Sequence, residues 1–172
     1  MVQPESPLHP LLDEINKAAV NGLPFLAVAM TVALPDICVS LASVNGLSTG
    51  QLYKEWCKDN LGSEFSFVTG DDLWSMRCGV LHNGRFGDLR HNVNRIVFAI
   101  SGGPVTFQNC KMNDAYIYSV VDFCKNLTDA VSCWYEKHKN DATIKANFAA
   151  SYAIQVWRTG PLYSWYDCFG MN

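Results

Sequence analysis

The sequence predicts an all-α fold, a single helical bundle of five to six helices with a short β-hairpin insert. Apolar residues recur at intervals of three and four along most of the chain, which is the period of an amphipathic helix. The chain has 172 residues, of which 49% are hydrophobic, enough for one domain over 1–172 with its own core. Breaks that contain Gly, Asn or Pro separate the periodic segments, so each segment is expected to form its own helix.

The first two predicted helices are separated by Asn21-Gly22, a pair that commonly ends helices. The first helix covers roughly Leu8 to Val20. The second extends from about Pro24 to Ser43 and is apolar nearly all round, which indicates the central helix of a bundle. Pro35 lies within it and is expected to kink or divide it.

A capping box predicts the start of the third helix. Ser48-Thr49-Gly50-Gln51 has the spacing of this motif, and the helix is expected to continue to about Asn60. Its inward-facing residues are predicted to be Leu52, Trp56 and Cys57. Leu61-Gly62 closes the helix, and Ser63 to Val68 is predicted to be a loop.

The fourth predicted helix lies within Thr69 to Gly84, whose sequence is TGDDLWSMRCGVLHNG. Thr69, with Asp72 three residues later, indicates an N-cap and an acid in the first turn. Asn83-Gly84 indicates the end of the helix. On a helical wheel Arg77 lies in the middle of an apolar face. That face consists of Leu73, Trp74, Met76, Val80 and Leu81.

Arg77 needs a partner on such a face because an arginine does not lose its charge. A carboxylate, a row of carbonyl groups or a bound anion can supply that partner. Asp36 is the lone carboxylate of the most apolar helix, so we expect it to pair with Arg77 and to orient or neutralise it. His82 falls in the last turn of the fourth helix, where it can converge with Arg77.

The segment Arg77-Cys-Gly-Val-Leu-His82 resembles the Arg-x(4–6)-His motif of the HEPN family, all-helical domains of which many are metal-independent ribonucleases. The resemblance implies a homodimer in which two copies of the motif face each other across one RNA-cleaving cleft. It implies that Arg77 binds the scissile phosphate and that His82 is the general acid or base for attack by the ribose 2′-hydroxyl. The products would carry a 2′,3′-cyclic phosphate and a 5′-hydroxyl.

One position departs from the family pattern. Catalytic members often have Asn, Asp or His directly after the arginine, where this chain has Cys78. Two functions therefore follow from the resemblance. The first is an endoribonuclease of a bacterial or phage defence or toxin–antitoxin type, with an antitoxin or other protein partner. The second is a non-catalytic module that binds RNA, a nucleotide or a protein.

Charge is unevenly distributed along the chain. The formal net charge of −3 argues against a surface built for duplex DNA. Four of the five arginines nevertheless fall in one segment, opposed there only by Asp88. Such clustering indicates a phosphate or RNA site, and a merely solvated loop is the equal alternative. The residues in question, besides Arg77 and His82, are Arg85, Arg90, His91 and Arg95.

The seven cysteines include no C-x-x-C pair and are predicted to be reduced, buried thiols of a cytoplasmic protein. No signal peptide is recognised, and the apolar run Leu23 to Leu34 is too short to span a bilayer, so no membrane partner is expected. No cofactor is expected either. Cys78 and His82 have the i, i+4 spacing of metal ligands, so zinc is an alternative that would need further ligands from Cys57, His91 or Cys110.

The C-terminal half contains the predicted insert and two more helices. Ile96 to Phe107 is rich in β-branched and aromatic residues around Gly102-Gly103-Pro104, which predicts a hairpin or two extended arms. A long helix is predicted from Asp114 to about Lys139, and a last one from Asn140-Asp141 to about Trp157. The aromatic tail from Gly160 is expected to pack across the bundle; stacking on unpaired bases is its alternative function.

Structural roles compete with the functional ones. Arg77 could serve only to fix the fold through Asp36, and His82 could be a helix-end histidine favoured by the helix dipole. A third hypothesis is thus a structural protein with a buried Arg77–Asp36 pair. Asp71 and Asp72 resemble a catalytic carboxylate pair, but capping of the first helical turn explains both.

Overall fold

A computed structural model describes residues 6–84, 96–100, 110–112 and 115–151. These residues are mostly helical and include one small sheet, which agrees with a helical bundle carrying a small β insert. A single 3-10 turn at Ser63–Phe65 interrupts the predicted loop. The helices are α1 His9–Val20, α2 Pro24–Ala42, α3 Gly50–Asn60, α4 Gly70–Asn83, α5 Val120–His138 and α6 Ala142–Ser151, and the strands are β1 Ile96–Ala99, β2 Cys110–Met112 and β3 Ala115–Ser119.

Helix α2 lies at the centre of the bundle, as its sequence predicts. It contacts each of the other five described α-helices and contributes ten buried residues. The helix continues through Pro35, so the predicted division does not occur. Proline has no backbone N–H, so the helix loses one hydrogen bond at Pro35. Burial of Pro35 among the surrounding helices nevertheless stabilises α2 as one continuous helix. By length and composition α2 could cross a membrane, but most of its apolar stretch is buried inside the fold.

Helices α1, α5 and α6 pack around α2. Asn16 of α1 donates a hydrogen bond to Thr128 of α5 at 3.1 Å, which links these two helices at a point where their apolar faces meet α2. Asn147 of α6 donates to the carbonyl groups of Leu41 and Ser43, at 2.9 and 2.8 Å. The amide therefore satisfies carbonyl groups that the end of α2 leaves without helical partners.

Helix α3 differs in detail from its prediction. Its N-cap is Thr49, whose hydroxyl accepts from the amide of Leu52, whereas Ser48 precedes the helix and bonds elsewhere. Leu52 is exposed, and the inward position belongs to Tyr53, which is fully buried and donates to the Val32 carbonyl at 2.7 Å. Tyr53 lies three and four residues before Trp56 and Cys57, so these three side chains share one face of the helix. Trp56 and Cys57 are buried as predicted.

The sheet has the order β1-β3-β2. Strand β3 pairs in parallel with β1, in the register Ile96↔Tyr116, and antiparallel with β2, in the register Cys110↔Ile117. The prediction that a helix begins near Asp114 is therefore wrong, because Ala115–Ser119 is a strand and α5 begins at Val120. Tyr116, Ile117 and Tyr118 have high β-propensity, and Ser119 caps the helix by accepting from the amide of Asp122.

The described strands also change the predicted hairpin insert. Strand β1 forms, but its described partner is the distant β3 and not a strand within Ile96 to Phe107. Residues 101–109, with the predicted turn, lie outside the described residues. The sheet is joined to the bundle through Phe123 of α5, whose ring meets Phe65, Phe98 and Tyr118 edge-on at centroid distances of 5.6, 5.1 and 5.8 Å. The aromatic tail also lies outside the described residues.

Six cysteines fall in the described part of the chain, and all six are free thiols. Cys38, Cys57 and Cys124 are buried, whereas Cys133 is exposed. The prediction of buried thiols is therefore correct for only part of the described cysteines. Burial raises the pKa of Cys57 to about 12 and that of Cys124 to about 11. These thiols therefore remain protonated at neutral pH and pack as small apolar groups.

Candidate functional site

The site is built on α4, both ends of which are defined as the sequence predicts. The Thr69 hydroxyl accepts from the amide of Asp72, and the Asp72 carboxylate accepts from the amide of Thr69 at 2.8 Å, forming a complete capping box. Gly84 ends the helix with φ 65°, a backbone conformation that glycine adopts without steric cost. These caps fix the length of α4 and hence the positions of Arg77 and His82.

The apolar face of α4 packs on the core largely as the wheel predicts. Leu73 and Met76 are fully buried, and Val80 is buried. Leu81 is 48% exposed, so its place on the buried face is a wrong prediction. The buried face is rotated from the predicted one towards Ser75 and Gly79, which are both buried, and away from Trp74 and Leu81. Arg77 therefore lies at the edge of this face and reaches solvent.

Arg77 and Asp36 form the predicted ion pair. The Arg77 Nε donates to Asp36 Oδ2, which joins α4 to the C-terminal half of α2. The side chains are 22% and 14% exposed, so the pair is partly and not wholly buried, contrary to the structural hypothesis as stated. At this depth the pair is shielded enough to hold one geometry and exposed enough for the guanidinium to meet a ligand.

Two further residues hold the pair in place. Ser48 Oγ donates to Asp36 Oδ1 at 2.6 Å, so each carboxylate oxygen has one partner. The Trp74 ring lies under the guanidinium, with the Arg77 Cζ 5.1 Å from the ring centroid, a cation–π distance. Trp74 itself packs edge-on against Tyr53 at 5.2 Å. Arg77 is therefore oriented from two sides.

His82 converges with Arg77 at the exposed end of α4. Its Nε2 lies 3.4 Å from Arg77 Nη1. A guanidinium only donates hydrogen bonds, so a hydrogen bond at this contact needs Nε2 as the acceptor and the ring proton on Nδ1. The His82 side chain is exposed. Asp36, Arg77 and His82 thus form a continuous polar chain that runs from the half-buried helix interface to solvent.

An open groove of about 430 Å³ lies beside this chain of contacts. It is bounded by the C-terminal half of α2, by the α2–α3 loop and by α4. Its lining combines the polar residues Asp36, Ser40, Ser48 and Arg77 with the apolar residues Ile37, Leu41, Leu47 and Trp74 and with Gly46. Asp36 and Arg77 are the ionisable residues of this lining, and their charges cancel.

Four of the predicted phosphate-binding residues, Arg85, Arg90, His91 and Arg95, lie outside the described residues. Cys78 is described and half-buried, on the helix turn that carries Arg77. Among the residues that the structure describes, no three His, Cys, Asp or Glu side chains come close enough to hold a metal ion. The zinc alternative therefore has no ligand set among the described residues.

Ser48 and Trp74 have roles that the sequence did not predict. The sequence predicts Ser48 as the N-cap of α3, because serine is a favoured N-cap and a glutamine follows it at the capping-box spacing. Ser48 and the adjacent Thr49 both carry a hydroxyl that can cap a helix, and in the structure Thr49 is the N-cap of α3. The spacing of Trp74 and Arg77, three residues apart on a helix, could have indicated the stacked contact.

No family model, curated protein or solved structure matches the chain. Because one fold can host many functions, the residues of the site must carry any functional proposal. The relevant facts are an oriented arginine, an exposed histidine in contact with it, and an adjoining open groove.

Proposed function

We propose that the protein is a metal-independent endoribonuclease, the activity implied by the resemblance of its Arg77–His82 segment to the HEPN motif. The single observation that supports this most is the contact between Arg77 Nη1 and His82 Nε2, at 3.4 Å, on the solvent-facing end of α4. A fixed cation beside an acid–base group is the minimum needed to cleave a phosphodiester without a metal.

Arg77 is the phosphate-binding residue in this proposal. Its Nε is committed to Asp36, while the Nη groups point along the exposed side of the helix end, where His82 lies. A guanidinium has five N–H donors, so the donors that remain can bind two phosphate oxygens at once. The Asp36 contact fixes the plane of the guanidinium and thereby reduces the entropy lost when phosphate binds.

His82 is the acid–base residue. In its neutral form Nε2 can take the proton of a ribose 2′-hydroxyl when phosphate binding draws Arg77 Nη1 towards the phosphate. The O2′–P bond then forms and the P–O5′ bond breaks, which leaves a 2′,3′-cyclic phosphate and, after the leaving oxygen gains a proton, a 5′-hydroxyl. That proton comes from the His82 of a second copy, in its protonated imidazolium form, in the homodimer that the resemblance implies.

The biological setting follows from the same resemblance. An RNA-cleaving HEPN-like protein of a defence or toxin–antitoxin system requires a protein partner that restrains it. The exposed position of His82 is compatible with restraint by a partner that covers this helix end. Such a partner would have to cover a histidine and a guanidinium at the rim of a neutral groove.

A non-catalytic module that binds RNA or a nucleotide is the second candidate. Two observations favour it: Cys78 follows Arg77, and Asp36 neutralises the guanidinium. In such a module Arg77 would still bind phosphate, but His82 would contribute only a hydrogen bond. The third candidate, a purely structural role, is favoured by the way the pair joins α2 to α4.

Incubation of an RNA pool, single-stranded and structured, with the protein in EDTA separates these candidates. We expect the wild type to cleave, His82→Ala to lose about two to four orders of magnitude in rate, and Arg77→Ala to lose at least as much. His9→Ala, at an exposed histidine of α1, serves as the matched control and should cleave as the wild type does. Each variant must first be shown to be folded by circular dichroism.

Three other outcomes favour the alternatives. Binding of RNA without cleavage, lost in Arg77→Ala, would favour the binding module. Absence of both binding and cleavage in a folded protein, with Arg77→Ala lowering only the unfolding free energy, would favour the structural role. Cleavage by the wild type and His82→Ala at equal rates would remove His82 from the proposed mechanism.

A further inference from the structure

The groove beside Arg77 differs from a general anion site. Among its lining residues the charged groups are Asp36 and Arg77, which form an ion pair, so the groove is formally neutral. A phosphate inside the groove gains little, because the repulsion of Asp36 offsets the attraction of Arg77, whereas Arg77 Nη1 lies beside His82 and away from the Asp36 contact. Whatever occupies the groove must therefore bring an uncharged part into it while a phosphate lies at the Arg77–His82 end.

The walls of the groove supply apolar contact at the right place. Leu47, on the α2–α3 loop, is 63% exposed, and Ile37 of α2 and Trp74 of α4 are half-buried. Ser48 and Asp36 provide polar atoms between these walls. A small number of polar groups among apolar walls, in a volume of about 430 Å³, is typical of sites for small, flat ligands.

The position of Trp74 is fixed by its neighbours. One face of its ring lies under Arg77, and its edge packs against Tyr53. Gly50, at the start of α3, lies so close that an added Cβ would be 2.9 Å from a ring carbon. The indole is therefore packed between the start of α3 and the guanidinium, so the apolar wall lies directly beside Arg77.

We propose that this groove is the subsite for the nucleobase adjacent to the scissile phosphate, and that the substrate is consequently RNA with an unpaired base at the cleavage position. This inference rests on the proposed ribonuclease function. A base inserted between Leu47 and the Trp74 wall places its 3′-phosphate towards Arg77. A base held in a duplex cannot enter, because its faces are stacked and its edge is paired.

Binding of a non-cleavable probe tests the subsite apart from catalysis. The probe is a fluorescein-labelled 2′-O-methyl oligoribonucleotide of mixed sequence, single-stranded or annealed to its complement, and the readout is fluorescence anisotropy. The 2′-O-methyl group blocks attack, so the wild type itself can be used. We expect the single strand to bind at least about tenfold more tightly than the duplex.

Substitution of Leu47 identifies the groove as the contact. Leu47→Asn removes apolar area without adding charge and should weaken binding about fivefold to tenfold, whereas Leu47→Phe should preserve or strengthen it. Leu26→Asn is the matched control, since Leu26 is 53% exposed on α2 but does not line the groove, and it should bind as the wild type does. The dependence of binding on salt should be unchanged in Leu47→Asn, because no phosphate contact is lost.

The opposite results would overturn the subsite. They are equal binding of single strand and duplex, no binding of either, equal loss in Leu47→Asn and Leu26→Asn, or a reduced salt dependence in Leu47→Asn. Cleavage of unmodified RNA distinguishes this failure from failure of the nuclease proposal. Cleavage that is unchanged in Leu47→Asn rejects the subsite alone, whereas single-strand binding through Leu47 without any cleavage rejects the nuclease and keeps the subsite.

Discussion

Asp36 is the residue on which both the fold and the proposed chemistry depend. A carboxylate in the most apolar helix would be costly alone, and it persists because Ser48 and Arg77 each bond one of its oxygens. The same two bonds aim Arg77 at the helix end where His82 lies. Stability and function are thus linked at the scale of single atoms, and substitutions here should affect both.

Removal of the Asp36 carboxylate should destabilise the protein strongly. Asp36→Ala leaves Arg77 partly buried without its partner and Ser48 without its acceptor, so we expect a loss of about 2–4 kcal/mol in the free energy of unfolding. Asp13→Ala, which breaks the exposed Asp13–Lys17 pair of α1, should cost less than about 0.5 kcal/mol. Urea denaturation measures both. Equal losses in the two variants would show that the Asp36 pair contributes no more than a surface pair.

Ser48 should act as a positioning residue. Ser48→Ala removes one hydrogen bond to a carboxylate and should cost about 1–2 kcal/mol in stability, while Ser48→Thr, which keeps the hydroxyl, should cost less than half of that. If the bond orients Arg77, the rate of RNA cleavage should also fall in Ser48→Ala and recover in Ser48→Thr. A rate that is unchanged in Ser48→Ala would show that Arg77 is oriented without the serine.

At the scale of elements, the sequence predicted best where local signals were complete. The caps of α4 could be predicted because Thr69, Asp72 and Gly84 each act on neighbouring backbone groups. The Arg77–Asp36 pair could be predicted from chemistry, because a guanidinium and a carboxylate on two apolar faces need each other. Both predictions depended on requirements that few alternatives satisfy.

The sequence predictions were wrong where two local patterns competed, or where tertiary contacts determined the secondary structure. Val120, Val121 and Cys124 continue a helical period, so the alternating residues of β3 were included in α5. Parallel pairing of β3 with β1 depends on residues about twenty positions away, which no local pattern encodes. Pro35 does not divide α2, because burial of this helix offsets the backbone hydrogen bond that proline removes.

Gly50 provides a test of contact between elements α3 and α4. An added Cβ would lie 2.9 Å from the Trp74 ring, which is held on other sides by Tyr53 and Arg77. Gly50→Ala should therefore lower stability by about 1–3 kcal/mol despite the higher helix propensity of alanine. It should also weaken RNA cleavage by displacing the ring beneath Arg77. An increase in the thermal midpoint would mean that Trp74 moves aside freely.

At the scale of the whole molecule, buried acidic groups should limit stability at alkaline pH. Burial raises the pKa of Cys57 from 9.0 to about 12, that of Cys124 from 9.0 to about 11 and that of Tyr118 from 10.0 to about 12. The folded state favours the protonated form of each group. Their contribution to stability is therefore complete below about pH 9 and is lost as the pH rises through these values.

Urea denaturation between pH 8 and pH 11 measures this loss. We expect the wild-type unfolding free energy to fall with a limiting slope of about 1.4 kcal/mol per pH unit for each such group. Cys57→Ala should be less stable at pH 8 but should lose less stability on the way to pH 11. Parallel curves for the two proteins would show that Cys57 does not titrate on unfolding.

The chemical ends of cleaved RNA test the central claim most directly. An RNA oligonucleotide cleaved in EDTA should yield one fragment with a 2′,3′-cyclic phosphate and one with a 5′-hydroxyl, identified by mass spectrometry, because attack by the 2′-hydroxyl needs only Arg77 and His82. The same oligonucleotide with 2′-O-methyl groups should remain intact. Fragments with 3′-hydroxyl and 5′-phosphate ends, or no fragments from folded wild-type protein, would contradict the assignment of Arg77 and His82 as a ribonuclease site.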